Sequence, residues 1–457
     1  MPTHKQWLLV AFLQFIWSAG ASSATGDTAP PSPNLNNVFN APPVGALSGN
    51  HNLVVAVHGF KSDPTVWAAN MVSSINSNVP SDTWDTWAFD WSQDAANSLS
   101  FTPTNVNIIN AQLQGQYLAH MILTGDYQNI QLIGHSLGGR VIQTAATVLN
   151  QTPSHPTIQT TFLDPYTPYN WNLIYGTNAT WSDEIVNTTD WLNTNAYLAN
   201  AFDVDVTAAL APKSTFNEGH AWPYQWYQNT VSAYNPSAQT YAGLGFGLSL
   251  EEGAANWPAG NPARGTVDIM NQAGTAIAST TTTPSTVFRN QLNINPGGQA
   301  AVLAKSSDNV VLGDNLITMH TSNDMNEWVN LAFNPTAATN YIDFKFDFST
   351  NEDGTLSVWL DNSLIYAALD SFALTNQWED SGIITFDSIS PGEHVLSYRL
   401  DSGPSDGGTT VQLEDINAGL IAAPEPASAI LCTSALTLLL LSKRRSTPFH
   451  TFDDLTT

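Results

Sequence analysis

Apolar residues fall in two different rhythms along this chain. Between residue 50 and about 250 they come as short unbroken runs, separated by segments of helical spacing. "NLVVAVHGF" (52–60), "TWAFDWS" (86–92), "NIQLIGHS" (129–136) and "TIQTTFLDP" (157–165) read as buried strands. Between the second and third runs, Ile108, Leu113, Tyr117, Leu118, Met121 and Ile122 recur at the period of a helix. Strands with no polar alternation, joined by helices, predict a mostly parallel sheet covered on both faces, an α/β domain over residues 50–255.

From about residue 262 the rhythm changes to period two. In "YIDFKFDFS", Ile342, Phe344, Phe346 and Phe348 alternate with Asp343, Lys345 and Asp347. "LSVWLDN" and "HVLSYRLD" continue the alternation, and "NEDG" and "SPGE" supply turns between such runs. The expectation for residues 262–420 is a β-sandwich, jelly-roll-like in character. The stretch "EEGAANWPAGNPARG" (251–265) is the expected boundary.

The two ends have rhythms of their own. Lys5, the apolar run "WLLVAFLQFIW" and the small residues "SAGASSA" predict an export signal over residues 1–24. A polar, Pro-rich linker (25–49) follows. Near the C-terminus, "PEPAS" precedes an apolar run from Ala429 to Leu441 and the basic triplet Lys443-Arg444-Arg445. This segment (424–445) resembles the PEP-CTERM sorting signal, and a tail (446–457) follows it. The resemblance implies an exosortase-type processing enzyme as partner. It also implies delivery to the cell surface or beyond, with transient membrane anchoring by the hydrophobic helix.

Composition narrows the partners. The chain of 457 residues carries a net charge of −26, with only 12 Lys and Arg. Four of the twelve lie in the targeting segments, so the body has little positive surface and nucleic acid is excluded as a partner. A single cysteine, Cys432, rules out an internal disulfide framework and a Cys-rich metal site.

The candidate chemistry lies where the third strand ends. Gly134-His135-Ser136-Leu137-Gly138 is a G-x-S-x-G pentapeptide with a strand before it and a helix after it. In that context the turn projects the hydroxyl of Ser136 above the sheet. The amide of Leu137, at the helix start, can face a developing oxyanion. A second oxyanion donor is expected from the loop after an earlier strand, where Gly59 lets the backbone approach and Phe60 carries the amide; His58 reads as a brace for that loop. Such a serine needs a base. Of the histidines after residue 164, His320 and His394 fall in the expected sandwich and His450 in the tail. His220 remains, expected on a loop ahead of an aromatic helix. For the acid, Asp164 ends a strand at the sheet's carboxyl edge, with Asp203 and Asp205 as rivals.

Taken together, "HGF" with Trp67, "FDWS", "GHSLGG", "FLDPYTP", "FDVDVT" and "GHAWPYQWY" resemble the pancreatic-lipase family of α/β-hydrolases in order and spacing. The resemblance implies Ser136 as nucleophile, Asp164 as acid, His220 as base, and the Phe60 and Leu137 amides as oxyanion hole. It favours Asp164 over Asp203, and it implies lipid ester substrates with no metal or cofactor. Two other readings stand beside it. One is a short-chain or polysaccharide-ester carboxylesterase whose sandwich binds a glycan or matrix ligand. The other is a surface adhesin or matrix protein with a vestigial hydrolase domain. Trp171, Trp181 and Trp191, with neighbouring tyrosines, read either as a lid or as packing.

Overall fold

The computed structural model describes residues 28–31, 52–77, 84–96, 100, 102–154, 156–190, 193–207, 216–232, 266–268, 286–291, 300–313, 315–321, 326–333, 335, 338–349, 353–392, 394–402 and 408–422. The expected export signal, the sorting segment with its hydrophobic helix, and the tail lie outside the described residues. Among the described residues no helix is long and apolar enough to cross a membrane.

The first region alternates as its apolar runs predict. Its elements are β1 (Asn52–Val57), α1 (Ala68–Asn76), β2 (Trp84–Phe89), α2 (Ser92–Ala95), α3 (Asn105–Ile122), β3 (Asn129–His135), α4 (Gly138–Asn150), β4 (Thr157–Leu163), β5 (Trp181–Val186), β6 (Phe202–Asp205), α5 (Phe216–Ser232) and β7 (Thr266–Asp268). The strands form one sheet in the order β2-β1-β3-β4-β5-β6-β7. Every pairing is parallel. Alternate residues of β1 feed different cores. Leu53, Val55 and Val57 pack with Leu118 of α3 and Val141 of α4, while Val54 and Ala56 pack with Met71 of α1 and Tyr227 of α5. The sheet is therefore covered by helices on both faces, which is why its strands carry no polar alternation. The winding reverses between β1 and β3, and the loops leaving those two strands meet at the carboxyl edge.

Two strands were hard to see in the chain. β5 lies in "WSDEIV", within the stretch read as a lid, and all six of its residues are buried. Trp171, Tyr175 and Trp181 are likewise core residues, so among the described residues these aromatics are packing and not a lid. Trp191 lies outside the described residues. β7 comes from beyond the expected boundary and pairs with β6 at the sheet edge.

The second region is wholly antiparallel. It comprises β8 (Thr286–Gln291), β9 (Ala300–Lys305), β10 (Val310–Gly313), β11 (Leu316–His320), β12 (Asn326–Phe333), β13 (Thr339–Phe348), β14 (Thr355–Leu360), β15 (Ser363–Leu369), β16 (Glu379–Asp380), β17 (Ile384–Ile389), β18 (His394–Asp401) and β19 (Thr410–Ala422). One sheet runs β10-β11-β19-β13-β16, with β8 added on β19 and β17 on β13; the other runs β15-β14-β18-β12-β9. Phe344 of the first sheet meets Tyr366 and Tyr398 of the second edge-on, at 5.3 and 5.5 Å. The sheets thus share one core, in which the period-two apolar set of β13 is buried.

The regions are packed against each other along α3. Gln112 and Gln116 each donate from Nε2 to the carbonyl oxygen of Ala367 on β15, at 3.1 and 3.0 Å. Gln151 donates to the carbonyl oxygen of Asp380 and accepts from its amide. These contacts explain why α3 buries Gln112 and Gln116 as well as its apolar residues, while the buried Gln114 donates to Asp94 within the first region. A piece of the expected linker also docks on the second region: Arg399 donates to the carbonyl oxygen of Pro30, and Asn330 to that of Thr28.

Candidate active site

Ser136 follows the last residue of β3 with φ of 54°, a left-handed conformation costly for a serine. The surrounding backbone over-determines it. Its amide donates to the carbonyl oxygen of Leu163 at 3.1 Å, and its carbonyl accepts from the amides of Gly139 and Tyr166 at 3.0 and 3.1 Å. The flanking glycines are required by contact. A Cβ on Gly138 would lie 2.5 Å from the carbonyl oxygen of Val57, and one on Gly134 would lie 2.7 Å from that of Gly138. Strain held in this way marks a position the fold maintains for a purpose.

Asp164 directly follows β4, the next strand, and also has positive φ, at 47°. It is fully buried. One carboxylate oxygen accepts the amide of Asn187 at 2.8 Å. The other accepts Nδ1–H of His220 at 2.6 Å. The acid and the imidazole predicted from the sequence are therefore brought together, and Asp203 is not. Asp203 sits on β6 beside Glu184, and its carboxylate accepts the amide of Leu198. Asp205 accepts from the hydroxyl of Tyr197.

His220 does not lie on a loop. Helix α5 begins at Phe216, so His220 sits in its second turn. The helix is held by Trp226, Tyr227 and Val231, which pack into the core on that face of the sheet. Two residues missed at the sequence level surround the imidazole. His135, the variable residue of the pentapeptide, donates from Nε2 to the carbonyl oxygen of His220 at 3.0 Å. The two rings lie 4.5 Å apart. Burial first, and then the nearby His220, hold His135 well below the ordinary histidine range, so it is a neutral donor that ties α5 to the Ser136 turn. Asp190, in the loop after β5, places Oδ2 3.5 Å from Nδ1 of His220. A second acid in the "NTTD" after a buried strand would have been the signal, had that strand been recognised.

The electrostatics follow from this crowding. Burial pushes His220 down, but the hydrogen bonds and charges of Asp164 and Asp190 outweigh it and raise the imidazole to about 9. Burial raises Asp164 to about 7, against the hydrogen bond from His220 that lowers it. Asp164, Asp190 and His220 bring three donor atoms together, a set that could hold a cation. The Asp164–His220 hydrogen bond already uses Nδ1, so the arrangement suits an acid–imidazole pair better.

The loop after β1 completes the edge. His58 donates from Nδ1 to the carbonyl oxygen of Gly59 and accepts the amide of Trp91 at Nε2, with its ring stacked on Trp91. Both ring nitrogens are spent on the loop, which fits a bracing role. Gly59 lies against the serine: a Cβ there would meet Cβ of Ser136 at 2.7 Å. Phe60 follows and is partly buried against the core. Leu137 is buried at the start of α4.

Residues 48–171 match the model of a family described as "Putative serine esterase (DUF676)". The matched stretch carries the Gly59-Phe60 loop, the Ser136 turn and Asp164, and it marks a serine esterase- or lipase-like hydrolase domain. A comparison with curated proteins gives no match. Among solved structures, a family 29 carbohydrate binding module is 8% identical, with 29% of this chain and 88% of that one covered and a TM-score of 0.21. A family two carbohydrate esterase from Cellvibrio japonicus is 17% identical, with 31% and 36% covered and a TM-score of 0.20. Likenesses this low carry neither fold nor function to this chain.

Proposed function

We propose that the protein is an exported carboxylic ester hydrolase, lipase-like, with Ser136 as nucleophile, His220 as base and Asp164 as the acid that orients it. The observation that carries this reading is the 2.6 Å hydrogen bond from His220 to Asp164, at the edge where Ser136 is held in a left-handed turn. The Asp164 carboxylate fixes the proton on Nδ1, so Nε2 is the nitrogen that takes the proton of the Ser136 hydroxyl. The alkoxide adds to the ester carbonyl, and the amides of Phe60 and Leu137 stabilise the oxyanion. The imidazolium then protonates the departing alcohol. Water, activated by the same imidazole, hydrolyses the acyl-enzyme and returns the serine.

The substrate class we infer is a carboxylic ester of a lipid, cleaved at or outside the cell surface after sorting. The antiparallel region is the jelly-roll-like companion of the α/β-hydrolase domain in this reading. The test is labelling of the folded protein by a fluorophosphonate probe, with turnover of p-nitrophenyl esters of increasing chain length. The wild type labels, and Ser136→Ala does not and loses at least about a thousandfold in kcat/KM. A folded wild type that neither labels nor turns over any ester of the series overturns the proposal.

A further inference from the structure

Arg140 is an arginine in the wrong place. It stands in the first turn of α4, where the helix dipole disfavours a cation. It is only 7% exposed. Its guanidinium makes no ion pair or hydrogen bond among the described residues, and Nε is fully buried without a partner. The ring of Trp171 packs against it, with the centroid 5.0 Å from Cζ. A buried charge left unpaired in this way costs several kcal/mol, which a fold does not retain for packing alone.

The guanidinium lines a cavity of about 220 Å³ formed where the two regions meet. Ile108 and Ile109 of α3 form one wall, and Leu364, Ile365 and Phe386 of the second region form another. The cavity also takes in Asp361 and Asp387. Asp361 is already bound to Nδ1 of His394 and to the amide of Val395, and Asp387 is exposed.

We infer that this inter-region cavity binds a small monocarboxylic acid, its carboxylate on Arg140 and its apolar body against the isoleucine and leucine walls. A planar carboxylate matches the fork of a guanidinium and satisfies two donors at once. Two aspartates in the same lining as the one cation disfavour polyvalent anions. The volume lies below the roughly 300 Å³ at which pockets for drug-sized molecules begin, so the acid is small. Ligand and protein contacts then come from both regions, and binding clamps them together. The inference does not depend on Ser136 being a nucleophile.

The test uses the full chain carrying Ser136→Ala, so that no turnover intervenes. Octanoate and 3-phenylpropanoate are titrated against their neutral amides, followed by thermal shift and by the fluorescence of Trp171 among the other tryptophans. At least one acid binds about tenfold or more tightly than its amide and raises Tm. Arg140→Met abolishes that preference. Ile365→Trp fills the cavity while leaving the guanidinium in place, and it weakens the acid at least about tenfold. This second variant decides the matter if Arg140→Met does not fold. No binding of either acid, equal binding of acid and amide, or an acid affinity unchanged by Ile365→Trp overturns the inference. Each of these outcomes is separable from a failure of fluorophosphonate labelling.

Discussion

The parallel-sheet region and the antiparallel region both hold residues at positive φ, but of different kinds. In the antiparallel region the non-glycine cases among the described residues are Asn315, Asp361, Asn362, Asn376 and Asp415, all Asn or Asp. Those side chains tolerate the left-handed conformation, and here it serves turns and irregularities. In the parallel-sheet region Asp164, Asn170 and Asn193 are of that tolerant kind, but Lys61, Ser136 and Tyr169 tolerate it far less. Ser136 follows β3 directly and Lys61 lies in the loop after β1, both at the sheet edge where Asp164 follows β4. Strain that the residue type suits is architecture, and strain imposed against residue type is a mark of the site.

The sharpest way to test that contrast is at Asp190, the second acid on the imidazole. The hydrogen bonds and charges of Asp164 and Asp190 raise His220 to about 9, so at pH 7 the free base is a minor species. Asp190→Asn removes one of the two charges and lowers the imidazole toward its ordinary value. The acid limb of the kcat/KM profile then moves down by about one pH unit, and activity at pH 7 rises up to roughly tenfold. A limb that does not move shows that Asp190 leaves the base untouched. Asp164→Asn, by contrast, loses activity at every pH, because it removes the partner that orients the ring.

A smaller effect is expected two strands away, where the sheet buries carboxyls without cations. Burial first, and then the neighbouring Asp203, raise Glu184 well above the carboxylate range. Burial raises Asp203 to about 7. Groups raised in the folded state hold protons that the unfolded chain has released, so their stabilising contribution is present below about pH 4 and lost as the pH rises through about 7. Glu184→Gln keeps a donor beside Asp203 and removes one of the two charges. The variant gains on the order of 2 kcal/mol over wild type at pH 8.5, roughly 4–8 °C in Tm, and no such gain at pH 4. An equal shift at both pH values would assign the effect to packing.

How much of this was legible depended on whether residue chemistry agreed with burial. β1, β3 and β4 were readable because their apolar runs are what a covered parallel strand needs, and with them came Ser136 and Asp164. β5 was not, because Ser182, Asp183 and Glu184 occupy three of its six buried positions and read as a surface loop. Losing β5 also lost Asp190, which the strand delivers to His220. The start of α5 was hidden for a related reason: its first residues carry no apolar repeat, and Pro223 lies inside the helix. Gln112 and Gln116 of α3 gave a helix but not its covering, since a second region far along the chain is what they bond to. Arg140 was invisible as a site because its cavity is assembled from both regions.

The smallest prediction lies in the antiparallel region and closes the comparison from the other side. Leu360 of β14 and Ser363 of β15 pair across a two-residue loop, Asp361-Asn362, in which φ is 48° and 66°. Positive φ at both central residues is the type I′ geometry that suits the twist of a hairpin. Asn362→Gly keeps that freedom and leaves Tm within about 2 °C of wild type. Asn362→Ala pays the left-handed strain of an ordinary side chain, about 1 kcal/mol, seen as a drop of a few degrees in Tm. Esterase activity at a temperature well below the transition stays unchanged in both, because the strain here serves only the turn. A loss of activity without a loss of stability would mean that the hairpin bears on the site, and the division between the two kinds of strain would fail.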